Sequence, residues 1–189
     1  PKIENVAGEL NFRGRRMDIR ANEASILGAK LARVHAEIPD LNVENRMLTV
    51  SGEAEGPTGE FLNFIEKSPL FEAIDRYTES VRAEGRGKLA LKLTIPLTST
   101  KDTKVAGTYQ FINNQLESED LFFPVEQVNG RLEFSESGVR VPSVTMTVLG
   151  GPATLNCATQ RAGTVRLSMA GRVNMDNARR ANTAPWVQA

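Results

Sequence analysis

The chain has 189 residues, 40% hydrophobic and 24% charged, an ordinary balance for a soluble folded protein, and aromatics at only 6% point to an aliphatic core. Its 23 basic and 23 acidic side chains cancel, which argues against an overall attraction to nucleic acid or other polyanions. One cysteine, Cys157, excludes an internal disulfide and a thiolate metal site, and the longest uncharged stretch, Val141 to Gln160, carries two Pro and two Gly and cannot span a bilayer.

In chain order, Val6–Phe12 opens with the phrase V-x-G-x-Φ-x-F, where Φ is apolar. Alternate apolar positions are the period of a strand with one apolar face. The phrase recurs at Val105–Phe111 and Val128–Phe134, and Met17, Ile19 and Leu27-Gly28 match Val139, Val141 and Leu149-Gly150 at a constant offset of 122 residues, which indicates a duplicated sheet unit. The Gly14 turn, with Arg13, Arg15 and Arg16 around it, reads as a solvated hairpin tip rather than a phosphate site. Arg16–Ala21, Ala24–Ile38 and Arg46–Glu53 follow as antiparallel strands of a meander.

Pro57 to Arg82 changes period. Phe61, Leu62, Phe64 and Ile65 give one short helix; Ser68 and Pro69 then cap and start a second, whose stripe is Leu70, Ile74, Tyr77 and Val81. Strands resume with Leu89, Leu91, Leu93 and Ile95 in strict alternation. Asn113-Asn114 is read as the turn of a hairpin between Val105–Phe111 and Gln115–Phe123, and residues 135–138 as the turn between Val128–Phe134 and Val139–Val148. Ala153–Thr159 and Gly163–Met175 close the series, the latter with Val165, Leu167 and Met169 on one face. Glu84–Gly87 and Gly150–Pro152 are read as turns, because they lack the Lys-Ser/Thr of a phosphate loop and precede strands.

Catalysis needs positioned titratable groups, and few are visible. His35 sits inside an alternating segment and is read as having no Cys or carboxylate neighbours at ligand spacing, and Glu117, Glu119 and Asp120 fit an exposed strand face. The expectation is a protein that is not an enzyme, with no cofactor and no metal.

The order of "VAGELNFRG", "MDIRANEASILGAKL", the helical "GPTGEFLNFIEKSPL", "VRAEGRGKLALKLTIPL" and "VNGRLEFSESGVRVPSVTMTVLGG" resembles the YhdP-type central region of the AsmA-like family of Gram-negative bacteria, over nearly the whole chain. The resemblance implies a mainly β fold: repeated curved antiparallel β-sheets forming an open apolar groove, with a short two-helix insert. It also implies a periplasmic segment of an inner-membrane-anchored protein that carries phospholipid towards the outer membrane. On that reading the partners are phospholipid, flanking repeats of the same protein, and membranes reached through parts outside this chain, with no nucleic acid. The groove candidates are Val6, Leu10, Phe12, Met17, Ile19, Leu89, Leu91, Leu93, Ile95, Val105, Tyr109, Phe111, Val128, Leu132, Phe134, Val139, Val141, Val165, Leu167 and Met169, with the phrase's glycine leaving room for bending or for an acyl chain.

The expected organisation is a first β-groove unit over residues 1–56, a helical insert over 57–86, a second unit over 87–176 and a connector or fraying tail over 177–189. The abrupt start within a strand, without an initiator Met, marks the chain as a segment of something longer. The helices are expected to lie on the apolar face or at its mouth. A closed β-sandwich would show the same alternation, and an assembly scaffold for outer-membrane proteins or a plain envelope spacer are the alternative functions.

Overall fold

The computed structural model describes residues 4–26, 29–66, 79–118, 123–160 and 164–180. Ten strands form one sheet in sequence order: β1 (Glu4–Arg13), β2 (Arg16–Ile26), β3 (Ala29–Ile38), β4 (Met47–Pro57), β5 (Arg82–Pro96), β6 (Lys104–Glu117), β7 (Val125–Ser135), β8 (Gly138–Val148), β9 (Gly151–Thr159) and β10 (Val165–Gly171). Every neighbouring pair is antiparallel. Helix α1 (Thr58–Glu66) lies in the connection from β4 to β5, and a short α2 (Met175–Arg180) follows β10. The fold is therefore an open, curved, all-antiparallel meander, and the two units inferred from the repeat lie in one continuous sheet. β4 and β5 pair without a register break from Met47–Pro96 to Pro57–Arg86.

Tight connections explain the meander. Gly14 has φ of 60° in the two-residue β1–β2 turn, and Leu149 and Gly150, with φ of 50° and 75°, both take the left-handed conformation of a two-residue turn between β8 and β9. As expected, the arginines beside Gly14 are a hairpin tip: Arg15 pairs with Asp40 at 3.6 Å and Arg16 with Glu37.

The sheet bends because its ladders are interrupted. Six of the nine strand pairings contain a register shift. Asn5, Arg33, Asn113 and Gln127, non-glycine residues inside β1, β3, β6 and β7, have φ near 50°, and Gly85 in β5 has φ of 102°. An extra residue on one strand bends it and increases its twist, so this series of bulges gives the sheet its curvature.

The bulges also correct four boundaries read from the sequence. Asn113-Asn114 is not a hairpin turn but a bulge within β6, which runs on to Glu117. Glu84–Gly87 lies inside β5, with Gly85 absorbing the irregularity. Ala24–Ile38 is two strands, the end of β2 and all of β3. The last strand stops at Gly171, and Met175 begins α2 instead of ending the strand. Of the two expected helices the first is α1, starting at Thr58 after β4 has extended through Pro57; the second falls mostly on residues 67–78, outside the described residues, and its expected end at Val81 is not helical, since residues 79–80 form a turn and Arg82 opens β5.

Candidate functional site

Cross-strand register sorts the side chains into two faces. One row runs Leu10, Ile19, Ala36, Val50, Leu93, Val105 from β1 to β6. A second row runs Ala24, Leu31, Ala54, Leu89, Tyr109, Leu132 from β2 to β7. Further on, Val141 pairs with Cys157 and Cys157 with Leu167, while Leu155 lies between Val144 and Met169. The intervening rows are polar, as in Arg20, His35, Ser51, Lys92. The result is one apolar face carried across ten strands, the arrangement expected of an antiparallel sheet with one wet side.

The apolar face is not uniformly accessible. Its middle and later part is packed: Val125, Val128, Val141, Val144, Met146, Val148 and Ala153 form one core cluster, with Val128 only 1% exposed. Helix α1 covers the neighbouring region, its Phe61 clustering with Ala54 and Tyr109, the two rings 5.4 Å apart edge to face. The helix thus docks on the apolar face, as the sequence suggested for this part of the insert. At the two edge strands the face is open: Leu10 and Phe12 on β1 are 56% and 61% exposed, Leu167 and Met169 on β10 64% and 57%.

The groove candidates divide accordingly. Val6, Leu10, Phe12, Leu167 and Met169 are exposed. Met17, Ile19, Leu89, Leu91, Leu93, Ile95, Val105, Phe111, Leu132, Phe134, Val139 and Val165 are half-buried. Tyr109, Val128 and Val141 are enclosed core residues with little surface to offer. Sequence reasoning did not single out Ala24, Ala54, Val144, Met146, Val148 and Ala153, because the bulges shift the apolar phase partway along the strands. In β6 the buried positions pass from Tyr109 to Asn114, so strict alternation fails at the bulge.

At Gly107, one of the phrase's three glycines, the space left by the missing side chain is filled from the neighbouring strand. Residues Val105–Phe111 and Val128–Phe134 sit on adjacent strands with Gly107 opposite Phe134 and Phe111 opposite Gly130. A Cβ on Gly107 would overlap the Phe134 ring and stand 2.9 Å from the Ala90 carbonyl oxygen. A Cβ on Gly87 would likewise overlap the Tyr109 ring. At these positions an aromatic ring already occupies the space that the glycine leaves.

Helix α1 is fastened by a buried polar chain. The Tyr109 hydroxyl donates to Thr58 Oγ1 at 2.9 Å, Thr58 Oγ1 donates to Asn114 Oδ1, and Asn114 Nδ2 donates to the Arg86 carbonyl at 2.7 Å. Asn114 is 0% exposed. Each side-chain group in the chain has a partner, as burial demands. Burial raises the Tyr109 pKa, and the hydrogen bond to Thr58 opposes it.

On the polar face the expectation that His35 has no carboxylate neighbour is corrected, because Glu37 shares its face two residues along β3 and the β2–β3 register brings Asp18 beside it. Asp18 on β2 meets His35 and Glu37 on β3, with His35 Nε2 2.7 Å from Asp18 Oδ2 and 3.9 Å from Glu37 Oε2. Arg20 Nε lies 2.9 Å from Asp18, and Arg16 pairs with both Asp18 and Glu37. The His35 hydrogen bond, helped by charge from Arg20, His35 and Arg16, lowers the Asp18 pKa despite some desolvation. With two guanidinium groups already on the carboxylates, the cluster is electrostatically satisfied without a cation. Cys157, on the apolar face, has its thiol pKa raised by desolvation, which favours the protonated, less nucleophilic form.

Among the described residues no helix is long and apolar enough to cross a membrane. A family model described as YhdP protein matches residues 1–189, the full chain. No curated protein and no solved structure matches it.

Proposed function

Since the chain belongs to the YhdP family, we propose that it is a non-enzymatic segment of a periplasmic bridge along which phospholipid acyl chains slide between the inner and outer membranes. The observation that carries this reading is the apolar face, with partners directly opposite one another from Leu10 to Val105 and large apolar side chains exposed at both edge strands. Each acyl CH₂ in water costs about 0.8 kcal/mol, so a chain of ~16 carbons costs on the order of 10 kcal/mol when exposed. A continuous apolar surface lowers that barrier by letting each contact form as the previous one breaks, and no bond is made or cleaved.

The packing selects a path on that face. The α1 side is filled by Phe61, Tyr109 and the valines of β7 and β8. The row Leu10, Ile19, Ala36, Val50, Leu93, Val105 is at least partly accessible throughout. Acyl chains follow this row from Leu10 to Val105, with Phe134 and Val139 continuing it onto β7 and β8, while headgroups stay in water. The chain uses no cofactor on this reading; its partners are phospholipid and flanking repeats, and membranes are reached through parts outside this chain.

Native mass spectrometry of the purified segment tests the proposal. Phospholipid retained through purification supports it; a lipid-free protein that also fails to take up added phospholipid contradicts it. A scaffold role in outer-membrane protein assembly draws on another observation: β1 and β10 each pair on one side only among the described residues, leaving backbone groups for strand addition. That role predicts binding of extended peptides by a lipid-free chain.

A further inference from the structure

The polar face of the sheet carries two adjoining surface hollows, of about 590 and 540 Å³. They share Arg33, Glu53, Ala90, Thr108 and Arg131, so they form one depression from β3 to β7, whose charged side chains belong to the polar rows and which Ala54, Leu89, Leu91 and Phe134 of the apolar rows also border. Its lining includes Ala32, Ala90, Ala106 and Thr108, small residues on a face otherwise studded with long charged side chains. Alanine is depleted in strands, and here the short side chains form a floor between taller walls.

The walls are basic. Lys30, Arg33, Arg86, Lys88, Lys92 and Arg131 contribute six cations against the three carboxylates of Glu53, Glu55 and Glu133, an excess of three in a chain whose overall charge is zero. The carboxylates are all engaged: Glu53 by Arg33, Glu55 by Lys88 at 3.3 Å and Arg86 at 3.9 Å, Glu133 by Arg131 at 3.7 Å and Arg140 at 3.3 Å. Lys30 and Lys92 have no ion-pair partner among the described residues. An arriving anion meets uncompensated ammonium groups, guanidinium donors that can share their hydrogen bonds, and the Thr108 hydroxyl. Guanidinium forks suit the tetrahedral oxygens of phosphate.

We propose that this depression is a binding site for a phosphate-bearing anion, separate from the apolar face and reading charge instead of hydrocarbon. The test is calorimetric titration of the whole chain with sodium pyrophosphate at low ionic strength, repeated at high salt. The expected result is saturable binding that weakens with salt and falls by about tenfold, the loss expected of one charge-assisted contact, in the double variant Arg33→Gln, Arg131→Gln. Lys104→Gln with Arg166→Gln removes the same charge from exposed positions outside the hollow and leaves binding unchanged. Arg33→Lys with Arg131→Lys preserves the charge and restores part of the affinity, which separates a lost site from a damaged fold. Vesicle flotation identifies the source: Arg33- and Arg131-dependent flotation with phosphatidylglycerol vesicles assigns the phosphate to a lipid headgroup, and pyrophosphate binding without flotation assigns it to a free anion. No saturable binding of either probe, or equal loss in the two glutamine double variants, overturns the proposal.

Discussion

Gly107 on β6 and Phe134 on β7 are cross-strand partners, and the Phe134 ring fills the volume that a side chain at Gly107 would need. In this copy of the recurring phrase the glycine lies beneath the next strand's aromatic, whereas Gly8 and Gly130 of the other two copies face Ala21 and Val144. Gly107→Ala is therefore expected to destabilise the chain by about 1–3 kcal/mol through overlap with the ring and the Ala90 carbonyl. In urea unfolding, combining it with Phe134→Leu should cost clearly less than the two single changes added together. Strict additivity would mean that the ring is not what excludes the Cβ.

The latch on α1 makes a second prediction. Thr58→Val removes both the donor to Asn114 and the acceptor of the Tyr109 hydroxyl, stranding two buried partners at a cost of roughly 1–3 kcal/mol. The same chain sets an alkaline limit. Burial raises Tyr109 above its ordinary value of 10.0, so folding favours the neutral phenol. That contribution is fully present below pH 10 and is lost as pH rises through the raised folded value. Chemical denaturation between pH 8 and 11 should show a decline that Tyr109→Phe reduces; an identical decline in that variant would place its origin elsewhere.

Asp18 limits the acid side. Its hydrogen bond to His35, with the nearby positive charges, holds the carboxyl below its ordinary value of 3.8. The resulting stabilisation is present above pH 3.8 and disappears as pH falls through the lowered folded value. Carbon-detected NMR titration should give Asp18 a midpoint below 3.8, and both His35→Ala and Arg20→Gln should raise it. A midpoint that ignores both substitutions would remove the cluster as its cause.

How much of this was legible in the sequence depends on where the period of two persists. Leu89 to Ile95 sits in an unbroken pairing with β4, and its alternation correctly announced both the strand and its apolar face. Asn113-Asn114 misled because an Asn in the left-handed region, as Asn113 is, serves a bulge as readily as a turn. The packed cluster around Val144 and Val148 was missed for the same reason, since a register shift separates Val141 from Val144 and moves the apolar positions to the other parity. The His35–Glu37 pair is two residues apart on one strand face, whereas Asp18 joins it only through the register between β2 and β3, information absent from spacing within either strand. The basic hollow was likewise hidden by a net charge of zero, because its cations come from β3 to β7 and gather only across the sheet.

A fourth prediction separates folding from lipid contact. Leu167 is 64% exposed on β10, so Leu167→Asp should leave stability within about 1 kcal/mol of the parent in thermal unfolding. It should also reduce phospholipid uptake, because a carboxylate on that face penalises an acyl chain laid across it. A matching Arg166→Asp change on the opposite face should leave uptake intact. Equal uptake by the two variants would dissociate β10 from the lipid path.

The central claim, that acyl chains travel over the apolar row leading from Leu10 to Val105, is tested most directly by site-specific photo-crosslinking in cells. A photoreactive amino acid is placed in turn at Leu10, Leu93 and Leu167 on the apolar face and at Arg20, Lys92 and Arg166 on the polar face. The account predicts phospholipid adducts at the first three positions and none at the second three. Adducts distributed equally over both faces, or absent from Leu10 and Leu93 in a folded protein, would contradict it.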